Sequence, residues 1–218
     1  MDLGQHGNGF EPQCRKTIAF GLAELIELLR SFRGNVSGLK HFQRIDSLFS
    51  QPHSKLFDFE KTAAGAEWVD AFARRARQAE DPQGPPVLGH ADWRVEHLRF
   101  EDGQIVATYD WDSLALRPET ELIGLSAHGF TADWAIEGIR RIPTANDIRA
   151  YVTDYEEARG RSFSKRERQS LFAHCVYFIA YGARCSHSLA LDKIEWEPGS
   201  WPYLLRTEGE ALLRSALE

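Results

Sequence analysis

The segment from residue 90 to residue 114 constrains this chain more than any other. His90-Ala91-Asp92 precedes two runs with strand character, His97 to Phe100 and Ile105 to Tyr109, and the second run leads directly into Asp110-Trp111-Asp112. Glu101-Asp102-Gly103-Gln104 joins the two runs, and an Asp-Gly pair between strands favours a tight hairpin turn. Antiparallel pairing then dictates where the carboxylates go. Asp92 stands just before the first strand and Asp110 just after the second, so both belong at the same end of the ribbon. Two carboxylates converging there suit a proton acceptor beside a metal ligand. Taken singly, a His-x-Asp or an Asp-x-Asp is common in turns as a capping group, so it is the combination that carries the reading.

The run HADWRVEHLRFEDGQIVATYDWDSL resembles the aminoglycoside phosphotransferase and choline kinase-like family. The family pattern is His-Gly-Asp, four variable residues, Asn, a hairpin, then Asp-Trp-Glu or a close variant, and the spacing from Asp92 to the Asn position is preserved. The resemblance implies an α+β, mostly helical, protein-kinase-like C-terminal lobe that moves the γ-phosphate of ATP to a small-molecule hydroxyl. On that resemblance Asp92 is the catalytic base, His90 orients its loop, and Asp110 holds the magnesium that bridges the nucleotide phosphates. Arg94 is a nucleotide contact. His97 and Asp112 complete the expected metal set, with Asp112 and Glu121 as supporting carboxylates. Two positions depart from the pattern. Ala91 replaces Gly, a mild change, and His97 replaces the Asn that in the family is a magnesium ligand. Magnesium prefers oxygen ligands in an octahedron, whereas imidazole suits zinc, copper or nickel, so His97 is expected to weaken the magnesium site. The exchange His97→Asn is expected to raise magnesium affinity, or at least to preserve it.

Kinase-like catalysis also calls for a strand-rich nucleotide lobe, with a loop over the phosphates and a strand Lys paired to a helix Glu. Only 89 residues precede His90, and they read mainly as helix. Residues 16–33 place Phe20, Leu22, Leu25, Ile26, Leu28, Leu29 and Phe32 on an apolar stripe of helical period, with Gly34 as the stop. Residues 62–80 repeat the behaviour with Ala64, Trp68, Val69, Phe72 and Ala76. None of Lys16, Lys40, Lys55 and Lys61 lies in a clear strand, and Gly4, Gly7 and Gly9 echo a glycine-rich loop without strands to flank it. Residues 1–15 therefore read as a flexible N-terminal tail, and residues 16–218 as a catalytic lobe without its nucleotide lobe. Weak or absent binding of ATP with magnesium is the corollary. Self-association as a homodimer, or coverage by residues 1–15, is expected to hide the apolar face thus left open.

Downstream, Thr144 can cap a helix that runs to Arg159 and stops at Gly160, and Ser164-Lys165-Arg166-Glu167 has the spacing of a capping box. The helix it opens extends to about His187, with Leu171, Phe172, Cys175, Val176, Phe178, Ile179 and Ala183 as its core. Pro202 suits the start of a last helix ending near Leu217. In the family such helices line the acceptor cleft, for which Glu156, Glu157 and Asp133 are the acidic candidates.

Composition agrees with one folded unit, since 218 residues that are 43% hydrophobic can bury a full core. No run reaches the roughly 18 apolar residues of a membrane span and no signal pattern opens the chain, so a cytoplasmic location is expected, with no membrane partner. Cys14, Cys175 and Cys185 contain no Cys-x-x-Cys and cannot all pair, as expected of free thiols in a reducing compartment. A net charge of −6 argues against nucleic acid, and Arg159, Arg161, Lys165, Arg166 and Arg168 read as a solvated face. Two other functional classes compete with the phosphotransferase. A catalytically inactive binding module is favoured by His97. A metal hydrolase would draw on His90, Asp92, His97, Asp110 and Asp112.

Overall fold

The structure, a computed structural model, describes residues 4–36, 38–41, 47–81, 84–136, 142–189 and 197–215. Helix α1 (Pro12–Arg30) opens on a proline in its first turn, where the missing N–H goes unneeded. It buries Ile18, Ala19, Leu22, Ala23 and Ile26, a stripe of helical period rotated from the expected one, and Leu28 and Phe32 are left exposed. The helix also ends before Gly34. Ser31 Oγ donates to the Leu28 carbonyl and the Arg33 guanidinium to those of Arg30 and Phe32, so the last turn is capped by side chains instead. A two-residue strand, β1 (Lys40–His41), follows, so Lys40 does fall in a strand, contrary to expectation.

Helix α2 (Glu67–Ala79) starts five residues later than the apolar pattern suggested. Asp58 accepts from the backbone of Lys61 and Thr62, and buried Arg184 takes the carbonyls of Phe59 and Thr62, so this stretch turns instead of joining the helix. The region before His90 is accordingly less helical than its composition implied.

Two β-ladders then hold the informative segment. Strands β3 (Leu98–Glu101) and β4 (Gln104–Thr108) form the expected hairpin, with Asp102 and Gly103 both at positive φ (49° and 75°), the geometry of a tight mirror-image turn. Strands β2 (Val87–His90) and β5 (Leu114–Arg117) pair antiparallel outside that hairpin, and β1 joins the far edge of β5 in parallel.

The rest is helical. Helix α3 (Glu119–Gly129) precedes α4 (Ala145–Ala158), which opens on the capping box of Thr144 and Asp147 and gives way at Gly160. Helix α5 (Lys165–Leu189) begins as the sequence indicates, with Ser164 and Glu167 exchanging hydrogen bonds. It buries Leu171, Phe172, Cys175, Val176, Ile179 and Ala183, and α2, α3 and α6 (Trp201–Arg214) pack around it. Leu217, the expected end of α6, lies outside the described residues. Of residues 1–15, read as a flexible tail, Pro12 onward already belongs to α1 and residues 4–11 are packed on the rest of the fold: Gln5 pairs with Phe100 through two backbone bonds of 2.9 Å, and His6 Nδ1 lies 2.8 Å from Asp133. No described helix is long and apolar enough to cross a membrane. All three cysteines are free.

Candidate active site

Chain order explains why the two acidic stations meet. The loop 91–97 lies between β2 and β3, and the loop 109–113 between β4 and β5, so each ladder clamps one end of both loops. The Tyr109 N–H donates to the His97 carbonyl at 2.8 Å beyond the hairpin, and the Ala91 N–H to the Ser113 carbonyl at 2.9 Å beyond the outer ladder. Further bonds fix the first loop from beneath. Trp93, buried, donates its indole N–H to the Ile18 carbonyl of α1 at 2.8 Å, and Ser126 of α3 donates to the Trp93 carbonyl at 2.7 Å.

His90 is fully buried and spans the two loops. Its Nδ1 accepts from the Asp92 N–H at 3.2 Å, which leaves Nε2 to donate to the Tyr109 carbonyl at 3.1 Å. Burial pushes its pKa below the ordinary value, so the neutral ring is the stable form. The orienting role expected of His90 has this geometry behind it.

Asp92, His97 and Asp110 converge, each offering one ligand atom within 4.8 Å of the other two; no other such group occurs among the described residues. The His97 Nε2–H donates to Asp92 Oδ2 at 3.1 Å and lies 4.0 Å from Asp110 Oδ2. Burial pushes the Asp92 pKa up, but the His97 hydrogen bond and the Arg94 charge outweigh it and hold the carboxyl below its ordinary value. Asp110 is also lowered, chiefly by the Ser113 hydroxyl, which donates to it at 2.5 Å. Its backbone is left-handed (φ 59°, ψ 42°), a conformation Asp tolerates better than most residues, and this aims the carboxylate back toward His97.

The remaining expected residues fall in different places. Arg94 lies against Asp92 at 3.3 Å and Glu96 at 3.0 Å, at the rim of the trio. Asp112 is exposed and stands outside the trio. Glu121 is buried against Arg117, and burial raises its pKa. Of the acidic candidates for an acceptor cleft, Glu156 is tied to Arg168 at 2.6 Å and to the Phe163 N–H, Glu157 pairs with Lys16 on the surface, and Asp133 is buried beside His6. Sequence reasoning missed Ser113 and Glu96. Ser113 had a signal in the Asp-x-x-Ser spacing, which allows a local side-chain bond.

As a donor set the trio departs from magnesium's preference. Two carboxylate oxygens suit that ion, but the third atom is an imidazole nitrogen in place of an oxygen, so the three residues together do not fit it.

Comparison with solved structures finds a spectinomycin phosphotransferase in complex with ADP and spectinomycin, at 14% identity and a TM-score of 0.48, covering 94% of this chain and 69% of that one. An ethanolamine kinase of Plasmodium vivax gives 14% identity and 0.45, covering 100% and 63%. A macrolide 2′-phosphotransferase of Brachybacterium faecium, an apoenzyme, gives 17% and 0.43, covering 97% and 60%. The chain thus spans 60% to 69% of the length of these three proteins. Comparison with curated proteins gives no match. The model of the phosphotransferase enzyme family matches residues 4–162, which include both β-ladders and the whole trio. By that match, over more than half its length, the chain belongs to the phosphotransferase enzyme family.

Proposed function

We propose that this chain carries the acceptor-activating site of a kinase-like phosphotransferase, which moves the γ-phosphoryl group of ATP to a hydroxyl of a small molecule. The observation that carries the reading is the convergence of Asp92 and Asp110 at one end of the hairpin, with Asp92 held ionised. An ionised carboxylate that is 40% exposed can accept the proton of an incoming hydroxyl as its oxygen attacks phosphorus. In this reading Arg94, paired with Asp92 and Glu96 at the rim of the trio, serves as the nucleotide contact by exchanging Glu96 for a phosphate oxygen. His90 keeps the base loop and the Asp110 loop in register.

Turnover of ATP against a panel of small alcohols, amino alcohols and amino sugars tests this. Asp92→Asn should lower turnover by more than about 100-fold. Circular dichroism and a cooperative unfolding transition should show that the variant keeps the parent's fold, with a stability loss of about 0.5–2 kcal/mol for the altered bonds to His97 and Arg94. Equal turnover by the variant would overturn the assignment of the base.

A second reading, a catalytically inactive binding module, is favoured by one contact. His97 donates to one of the two Asp92 carboxylate oxygens and so competes for it with a substrate hydroxyl. It predicts no turnover on any alcohol and no rise in the melting temperature of the chain with nucleotide and magnesium.

A further inference from the structure

We infer that Asp92, His97 and Asp110 form a site for one borderline divalent transition ion, zinc or cobalt in kind, which fills in the absence of nucleotide. The inference concerns the carboxylates of the proposed phosphotransfer, and rests on that reading for the claim that such an ion competes with their catalytic use.

The donor atoms carry the argument. One imidazole nitrogen and two carboxylate oxygens are the mixed set that borderline ions take, and His97 is the position where an oxygen ligand would have favoured magnesium. The spacing is close to what such an ion needs. Ligands about 2.1 Å from a tetrahedral ion lie roughly 3.4 Å from one another. His97 Nε2 is already 3.1 Å from one carboxylate oxygen and 4.0 Å from the other, so the trio closes on an ion by side-chain adjustment of under an ångström at these two contacts. The ion would take the place of the proton that His97 now gives to Asp92, the ring carrying its proton on Nδ1 instead.

Position and charge support the set. Asp92 and His97 are held at the two ends of one clamped loop and Asp110 on the other, so the site is built before an ion arrives. The His97 side chain is 16% exposed and the two carboxylates 40% and 32%, which shields the nitrogen and leaves an approach from the carboxylate side. Two like charges facing one imidazole are poorly matched without a cation, and Arg94 reaches only one of them. The histidine that stands beside them does not take part. Both nitrogens of His90 are engaged within the backbone, so the larger His/Asp set of a hydrolase reduces to this trio.

The test is titration of the full, nucleotide-free chain with cobalt(II), read by its visible absorption, followed by zinc competition. One equivalent should bind and zinc should displace it, while a large excess of magnesium should not. His97→Asn should weaken cobalt binding by more than about tenfold, since even residues behind metal ligands commonly cost that much. Asp110→Asn should do the same, and circular dichroism distinguishes a lost site from a lost fold. Zinc should also inhibit turnover of the parent, and less so that of His97→Asn. Cobalt binding unchanged in both folded variants, or displaced equally by magnesium, would overturn the inference. Either result would leave the Asp92→Asn turnover test, and with it the phosphotransferase reading, standing or falling separately.

Discussion

Both ring nitrogens of His90 are engaged with main chain, one in its own loop and one in the loop of Asp110, and this makes an invisible residue the joint of the site. Replacing it with phenylalanine keeps the volume and leaves the Asp92 N–H and the Tyr109 carbonyl buried without partners. A loss of about 2–4 kcal/mol is expected, or a fall in melting temperature of roughly 5–15 °C. Calorimetric unfolding measures it, and an unchanged midpoint would show that water replaces the ring. The pattern His-x-Asp made His90 legible as a candidate. Ser113 left only the local Asp-x-x-Ser spacing as a signal, and Glu96 left none, because a lone Glu in a loop has many possible partners and only the folded backbone selects one.

At the scale of elements, the inner hairpin was legible because its turn, its strands and its register are all local in sequence. The outer ladder was not. Val87–His90 pairs with Leu114–Arg117 across the whole hairpin, and a four-residue strand offers too few alternations to announce a partner so far along the chain. The same contrast separates the helices. Those with capping boxes, α4 and α5, begin where the sequence marks them, whereas α1 ends early on its own Ser31 and Arg33 and α2 starts late because Arg184 of α5 holds the segment before it. Helix α3 depends on a close approach that a pattern cannot reveal. A Cβ at Gly124 would come within 2.7 Å of His174 Cβ and 2.9 Å of the Leu171 carbonyl oxygen on α5. Gly124→Ala should therefore push α3 from α5 and destabilise by about 1–3 kcal/mol, read from denaturant unfolding with an unchanged slope. Because α3 also anchors Trp93 through Ser126, turnover should fall with it.

For the molecule as a whole, the junction of α3, α5 and α6 is expected to govern stability in mild acid. His128 of α3 stacks on Trp201 of α6 (5.1 Å between ring centroids) and lies near Phe178 of α5 (5.6 Å). Its Nδ1–H meets the Leu125 carbonyl, and Asp92 and Arg94 are the charged groups whose fields reach it. Burial pushes its pKa from 6.5 down to about 4. The unfolded chain thus binds a proton in the window between those values while the folded one does not, so stability is full above pH 6.5 and declines as pH falls toward 4. The expected loss is on the order of 1–3 kcal/mol, and His128→Gln should flatten this part of the profile. A parent profile with the same slope as the variant's would exclude His128 as the cause.

Local rules written in the sequence determined the hairpin, the caps of α4 and α5, the core stripe of α5 and the presence of two carboxylates at one ribbon end. Each of these depends on residues within one helix or one hairpin, where local periodicity, caps and turn geometry decide the outcome. The tertiary structure alone decided that residues 4–11 pack against the hairpin, that β2 and β5 close the site from outside, and that His97 turns its nitrogen to both carboxylates. Those outcomes depend on burial and hydrogen bonding between segments distant in the chain, whose free energies only the folded whole brings together.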